Sequence, residues 1–214
     1  MMLKVNEIFV SVSGERGWCK QGDWVTFIRL DGCNLKCSYC DTKETQNGNQ
    51  HTEMTVEEVV DRVQTHDVII TGGEPLLQED TALLIDALFD KFKRVSVETN
   101  GTIVPTRQMV DSAWFIIDYK LDAEDQMMDI KDYRNTAYLV KFVINSPEQY
   151  ATAVKICKFD FNSNRPLLSF SPGPFVTPNL LFEWMKNDRL WDISLNLQLH
   201  KLGNLREKVS KLPK

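Results

Sequence analysis

The chain has 214 residues, 43% apolar and 26% charged, with a formal net charge of -5. This is enough apolar side chain for one substantial core, and the negative balance counts against non-specific nucleic-acid binding, which needs cationic groups facing the phosphates. No apolar run has the length of a membrane span and no charged-then-apolar leader opens the sequence, so no membrane association is expected. The cysteine total is odd, with three residues clustered, which argues against a secreted disulfide framework and for a reducing, cytoplasmic setting.

Along the chain, short β-branched and aromatic runs alternate with helical patterns, which predicts an α/β fold built from βα units on a parallel sheet. Strands are expected at residues 24–30, 67–71, 94–98, 114–118, 138–144, 166–170 and 193–199. The segment from 42 to 53 reads as one polar surface loop. Thr55 and Glu58 form a capping box ahead of Val56, Val59, Val60 and Val63. Residues 79–91 place Leu83, Leu84, Ala87 and Leu88 on one helical face. Ser146-Pro147 and Thr177-Pro178 each put a capping hydroxyl before a proline at the first helical position. His51 and His66 read as exposed, Cys19 and Cys157 as small apolar or surface residues, and residues 203–214 as a basic tail. No repeat or Pro/Gly-rich linker divides residues 1–214, so a single domain is expected.

The chemistry concentrates where strands end. Gly32-Cys33-Asn34-Leu35-Lys36-Cys37-Ser38-Tyr39-Cys40-Asp41-Thr42 follows the first predicted strand and Thr71-Gly72-Gly73-Glu74-Pro75 the second. Glu98-Thr99-Asn100-Gly101-Thr102 follows the third and Asp118-Tyr119-Lys120 the fourth. Ser171-Pro172-Gly173 follows the sixth, and Gln198 and His200 fall at the last. In a parallel barrel these ends share one rim, where such folds keep their sites. A C-x3-C-x2-C run offers three thiolates and no fourth; on a four-iron cluster that leaves one iron for a ligand that is not protein. A zinc site with a distant fourth ligand uses the same residues, though no second ligand pair of finger spacing follows. The glycines of Gly72-Gly73 allow close backbone approach. Lys120, closing an apolar strand, needs an anionic partner.

The cysteine spacing with Gly-Gly-Glu-Pro resembles the radical S-adenosylmethionine (SAM) superfamily. That resemblance implies an incomplete parallel β/α barrel in which a 4Fe-4S cluster on Cys33, Cys37 and Cys40 cleaves SAM to a 5'-deoxyadenosyl radical. The stretch from Glu7 to Glu15, Phe27-Ile28-Arg29-Leu30-Asp31-Gly32-Cys33, Cys40-Asp41-Thr42, the Glu98 turn and Leu197-Gln198-Leu199-His200-Lys201 narrow it to the 7-carboxy-7-deazaguanine synthase family. Membership would imply ring contraction of 6-carboxy-5,6,7,8-tetrahydropterin with loss of ammonia, in deazapurine nucleoside biosynthesis of the queuosine type. By the same resemblance Gly73, Asn100, Asp118, Lys120 and Ser171 lie near SAM. Val12, Ser13, Gly14, Glu15, Arg29, Thr71 and His200 line the pterin site, and Thr42 ligates Mg2+. An electron donor such as flavodoxin or ferredoxin and a homodimer are also implied.

The carboxylate of Glu15 suits a pterin's amidine edge, and the guanidinium of Arg29 suits its 6-carboxylate. Three departures from the family pattern are visible. Ser13 stands where a glutamine is common, Asp118-Tyr119-Lys120 replaces Ser-Pro-Lys, and Ser171-Pro172 replaces a glutamine-proline pair. The alternatives are a glycyl-radical activating enzyme acting on a protein and a non-catalytic iron-sulfur electron carrier.

Overall fold

The computed structural model describes residues 2–160 and 166–199. The strands are β1 Leu3–Val12, β2 Trp24–Leu30, β3 Thr52–Met54, β4 Asp67–Gly72, β5 Arg94–Thr99, β6 Trp114–Tyr119, β7 Ala137–Ile144, β8 Leu167–Pro172 and β9 Ser194–Leu195. The helices are α1 Val56–Val60, α2 Thr81–Asp90, α3 Arg107–Ser112, α4 Ile130–Thr136, α5 Pro147–Lys155 and α6 Pro178–Asn187. One sheet runs in the order β3-β1-β2-β4-β5-β6-β7-β8-β9. From β2 through β9 neighbouring strands are parallel, while β1 is antiparallel to both β2 and β3. Among the described residues the sheet does not close, so the fold is an incomplete β/α barrel. Among the described residues no helix is long and apolar enough to cross a membrane.

Strand periodicity sorts the side chains into two faces. Ile28, Leu30, Val68, Ile70, Val95, Val97, Phe115, Ile117, Val140, Phe142, Leu168 and Phe170 point to the helices. There they form one core with Leu84, Ile85 and Leu88 of α2 and Leu181 and Met185 of α6. Burying each of the large members contributes about 1.5–3 kcal/mol. The opposite face carries Phe27, Arg29, Thr71, Glu98, Ile116, Asp118 and Lys141, which line a cavity. Toward the strand starts, Cys19, Val25, Ile69 and Phe27 form a second small cluster, and Trp18 stacks on Trp114 at 4.4 Å. Cys19 and Cys157 are both buried.

The local signals for helix starts are realised. Thr55 and Glu58 exchange both bonds of the capping box, and Ser146 and Thr177 accept N–H bonds from Gln149 and Leu180. Thr55→Ala is expected to lower stability by about 1 kcal/mol, measured as a fall in the urea midpoint.

Several expectations are corrected. β1 was absent from the predicted strands, because a register shift between Val5 and Glu7 interrupts its two-residue alternation. β3 begins within the stretch read as loop and ends just past it, and a short 3-10 turn at Lys43–Thr45 lies inside it. Ile85, not Leu83, faces the core; Leu83 is exposed. His51 is half-buried, its Nδ1 3.0 Å from Asp31 Oδ2. The last strand has two residues rather than seven. Past Leu195 the sheet ladder ends: Asn196 N still donates to Phe170 O at 2.8 Å, but Leu199 N turns to Gly14 O at 3.2 Å. His200, Lys201 and the tail expected at 203–214 lie outside the described residues.

Candidate active site

The cysteine loop leaves the end of β2 and folds against the end of β4. Two glycines make that seam possible. A Cβ at Gly72, whose φ is +138°, would lie 2.0 Å from Leu30 O, and one at Gly73 would lie 2.0 Å from Gly32 O. Backbone bonds close the seam: Gly73 N donates to Leu30 O at 3.0 Å and Glu74 N to Gly32 O at 2.8 Å. The backbone leading into Cys33 is therefore held against the end of β4. All three thiols are half-buried and line the same cavity of about 390 Å³.

The sulfurs lie among hydrogen-bond donors. Leu35 N donates to Cys33 Sγ at 3.4 Å, Asn100 Nδ2 approaches the same sulfur at 3.8 Å, and Cys40 Sγ lies 3.7 Å from Thr42 Oγ1. Burial pushes the Cys33 and Cys37 thiols up, and the Lys120 charge pulls Cys37 back down. Iron, being cationic, would take them as thiolates. Among the described residues no three His, Cys, Asp or Glu side chains are gathered closely enough to share one metal ion.

Glu74 organises the next rim turn. Fully buried, it accepts from Leu76 N at 3.0 Å, Thr99 Oγ1 at 2.7 Å and Asn100 N at 2.7 Å. Asn100 in turn donates to Asn34 Oδ1 at 2.9 Å and accepts from Thr102 N at 3.0 Å. The turn after β5 thus braces the cysteine loop.

The facing wall is ionic. Glu15 Oε2 lies 2.5 Å from Lys141 Nζ, and Glu15 Oε1 accepts from Gln198 Nε2 at 2.7 Å. Asn196 Nδ2 reaches Glu15 Oε2 at 3.4 Å and donates to Ser171 Oγ at 3.0 Å. Asp118 Oδ2 takes Lys120 Nζ at 2.8 Å and Lys141 Nζ at 3.4 Å. Thr71 Oγ1 donates to Glu98 at 2.8 Å. Arg29 Nε is anchored on Glu7 at 2.7 Å, its cross-strand partner, and its guanidinium sits over Phe9. Burial alone would raise the Glu15 and Asp118 carboxyls; Lys141 holds Glu15 below its ordinary range, and Lys120 and Lys141 do so for Asp118. Glu98 is pushed up by burial and by the Glu15 charge, against the pull of Lys141 and Arg29.

Residues 27–158 match the Radical SAM superfamily. Over 215 aligned residues the chain is 33% identical to the 7-carboxy-7-deazaguanine synthase of Clostridium acetobutylicum, covering 94% of this chain and 96% of that protein. It is 34% identical to the enzyme of that name from Chlorobaculum tepidum, covering 93% of each. The chain belongs to the 7-carboxy-7-deazaguanine synthase family. The fold agrees with the crystal structure of QueE from Escherichia coli, at a TM-score of 0.75 and 20% identity over 92% of this chain and 94% of that one. Membership makes the chain a radical SAM enzyme, with a 4Fe-4S cluster and SAM as cofactors, and the thiols, amide donors and glycine seam described above fit the cluster.

Of the positions that the family resemblance singles out, Val12, Gly14, Glu15, Arg29, Thr42, Thr71, Gly73, Asn100, Asp118 and Lys120 all line the cavity with the three cysteines. Two do not. Ser13 is buried and donates back to Glu15 O at 2.8 Å, fixing its own turn. Ser171 is buried beneath Asn196. His200 lies outside the described residues. Sequence reasoning missed Lys141 and Asn196. The signal for Lys141 was present: a lysine inside the apolar run of β7 raises the same question as Lys120, which anion it meets.

Proposed function

We propose that the chain converts 6-carboxy-5,6,7,8-tetrahydropterin to 7-carboxy-7-deazaguanine with release of ammonia, a step in deazapurine nucleoside biosynthesis of the queuosine type. One observation carries this reading. A single cavity has three thiols and no fourth on one side, and on the other a carboxylate and a guanidinium, Glu15 and Arg29, that suit the two ends of a carboxypterin.

Cys33, Cys37 and Cys40 hold the cluster. Bound there, the cluster and SAM supply the 5'-deoxyadenosyl radical that abstracts a hydrogen atom from substrate. Gly73, Asn100, Asp118 and Lys120 form the SAM end, with Ser171 acting through Asn196. Glu15 accepts the two N–H groups of the pterin amidine edge, a match of two acceptor oxygens to two donors. Arg29, tethered through Nε, offers its remaining N–H groups to the substrate carboxylate. Thr71 and Val12, with the backbone of Gly14, complete the pterin wall, and Ser13 shapes the turn that presents them. Thr42 supplies an oxygen to Mg2+, which prefers oxygen ligands and keeps positions for water and substrate. His200 belongs to the same site by family resemblance.

The enzyme acts as a single domain in the cytoplasm, as a homodimer, and takes electrons from a flavodoxin or ferredoxin. The test is anaerobic reconstitution with iron and sulfide, followed by SAM, Mg2+, a reductant and the carboxypterin, with mass spectrometry of the products. 7-Carboxy-7-deazaguanine above a no-enzyme control is the expected result. SAM cleavage without it would move the reading to a protein-directed activase.

A further inference from the structure

Lys141 sits in the middle of β7, in the run Leu139-Val140-Lys141-Phe142-Val143, with its side chain 6% exposed. Across the sheet it pairs with Asp118 on β6 and Ser169 on β8, and Ile116 and Val143 also line the cavity with it. Its ammonium lies 2.5 Å from Glu15 and 3.4 Å from Asp118, residues from two separate elements. Lys120 shares that oxygen of Asp118 at 2.8 Å and stands over the ring of Tyr39 in the cysteine loop. Alternating charges therefore run from the Glu15 loop through Lys141, Asp118 and Lys120 to the cysteine loop. Asp118 Oδ1 is buried with no hydrogen-bond partner among the described residues, so the lysines alone aim that carboxylate.

Stability alone gives little reason for such a residue. Burying an ion pair is often no better than packing apolar side chains of similar volume, and methionine would suit this run. We infer that Lys141 is a positioning residue, which fixes Glu15 at the pterin end of the cavity and Asp118 at the SAM end in one ionic framework. This rests on the pterin reading of the cavity. With Lys141 present, Glu15 stays an ionised acceptor aimed by Lys141 on one oxygen and Gln198 on the other. Without it, Glu15, Glu98 and Asp118 face one another across a poorly solvated space with Lys120 and Arg29 as the remaining cations. Repulsion among them then favours protonation of one carboxylate, and a protonated carboxyl presents a donor where the amidine edge also presents donors.

The experiment compares wild type, K141M and K141R as reconstituted holoenzymes. Anaerobic calorimetry with SAM bound and the cluster left oxidised reads carboxypterin binding without turnover. Reductant then gives KM, kcat and the ratio of deazaguanine product to 5'-deoxyadenosine. For K141M, carboxypterin affinity should fall and KM rise at least about tenfold, with SAM affinity changed less than about twofold and a lower product ratio. K141R should recover much of the loss. Should K141M fail to fold, K141Q, which keeps a polar side chain beside Glu15 and Asp118 without the charge, carries the same comparison. Pterin affinity and KM within about twofold of wild type overturn the inference. So does equal loss of SAM and pterin binding in step with lost iron, with K141R no better, since that marks a purely structural lysine. Wild type that cleaves SAM yet makes no deazaguanine removes the pterin reading itself, and this inference with it.

Discussion

Cys37→Ala is expected to give a folded protein that no longer keeps a four-iron cluster and forms neither 5'-deoxyadenosine nor deazaguanine above background. The thiol is half-buried in a loop, outside the apolar core, so its removal leaves the packing of β2 and β4 intact. Its loss leaves two protein ligands where three already fall one short of the usual four. Iron content, the visible absorbance of the reconstituted protein and the two products are measured together. Full turnover by the variant would contradict the assignment of Cys37 as a ligand.

Gly73→Ala should reach the same centre through the backbone. The added methyl would lie 2.0 Å from Gly32 O, 2.5 Å from Gly32 C and 3.0 Å from Cys33 Cβ. Two of these neighbours are main-chain atoms and cannot rotate away, so either the end of β4 or the cysteine loop must move. Overpacking of this kind costs roughly 3 kcal/mol, and the displaced Cys33 should lower iron content as well. Urea unfolding and iron-to-protein stoichiometry check both parts. An unchanged midpoint with full iron would show that the seam has slack which the geometry does not contain.

How far sequence reading reached depended on whether a signal was local. The cysteine spacing sits within one loop, so its meaning needs no tertiary information, and the capping hydroxyls at Thr55, Ser146 and Thr177 were likewise read directly. Strands β4 to β8 were legible because apolar runs of strand length lie between helical patterns. β1 was hidden by its bulge, whereas β9 was expected but too long, because the polar side chains Asn196 and Gln198 bond to Ser171 and Glu15 where a longer ladder was expected. Direction was harder than location. Ser13 follows β1 and Ser171 lies near the end of β8, yet both are buried, and nothing in a linear motif says which way a short hydroxyl turns. Lys141 was overlooked because β7 reads as an apolar strand. Its purpose appears only when residues 15 and 118 are brought beside it.

On the proposed reading one cavity joins a three-cysteine cluster to a carboxypterin through the Glu15 and Arg29 wall. The decisive measurement is a crystal structure of the reconstituted enzyme with SAM and the carboxypterin. Iron on Cys33, Cys37 and Cys40 with no fourth protein ligand is expected, with the pterin within hydrogen-bond distance of Glu15 and Arg29. A fourth protein ligand on the cluster, or a pterin bound away from Glu15 and Arg29, would contradict it.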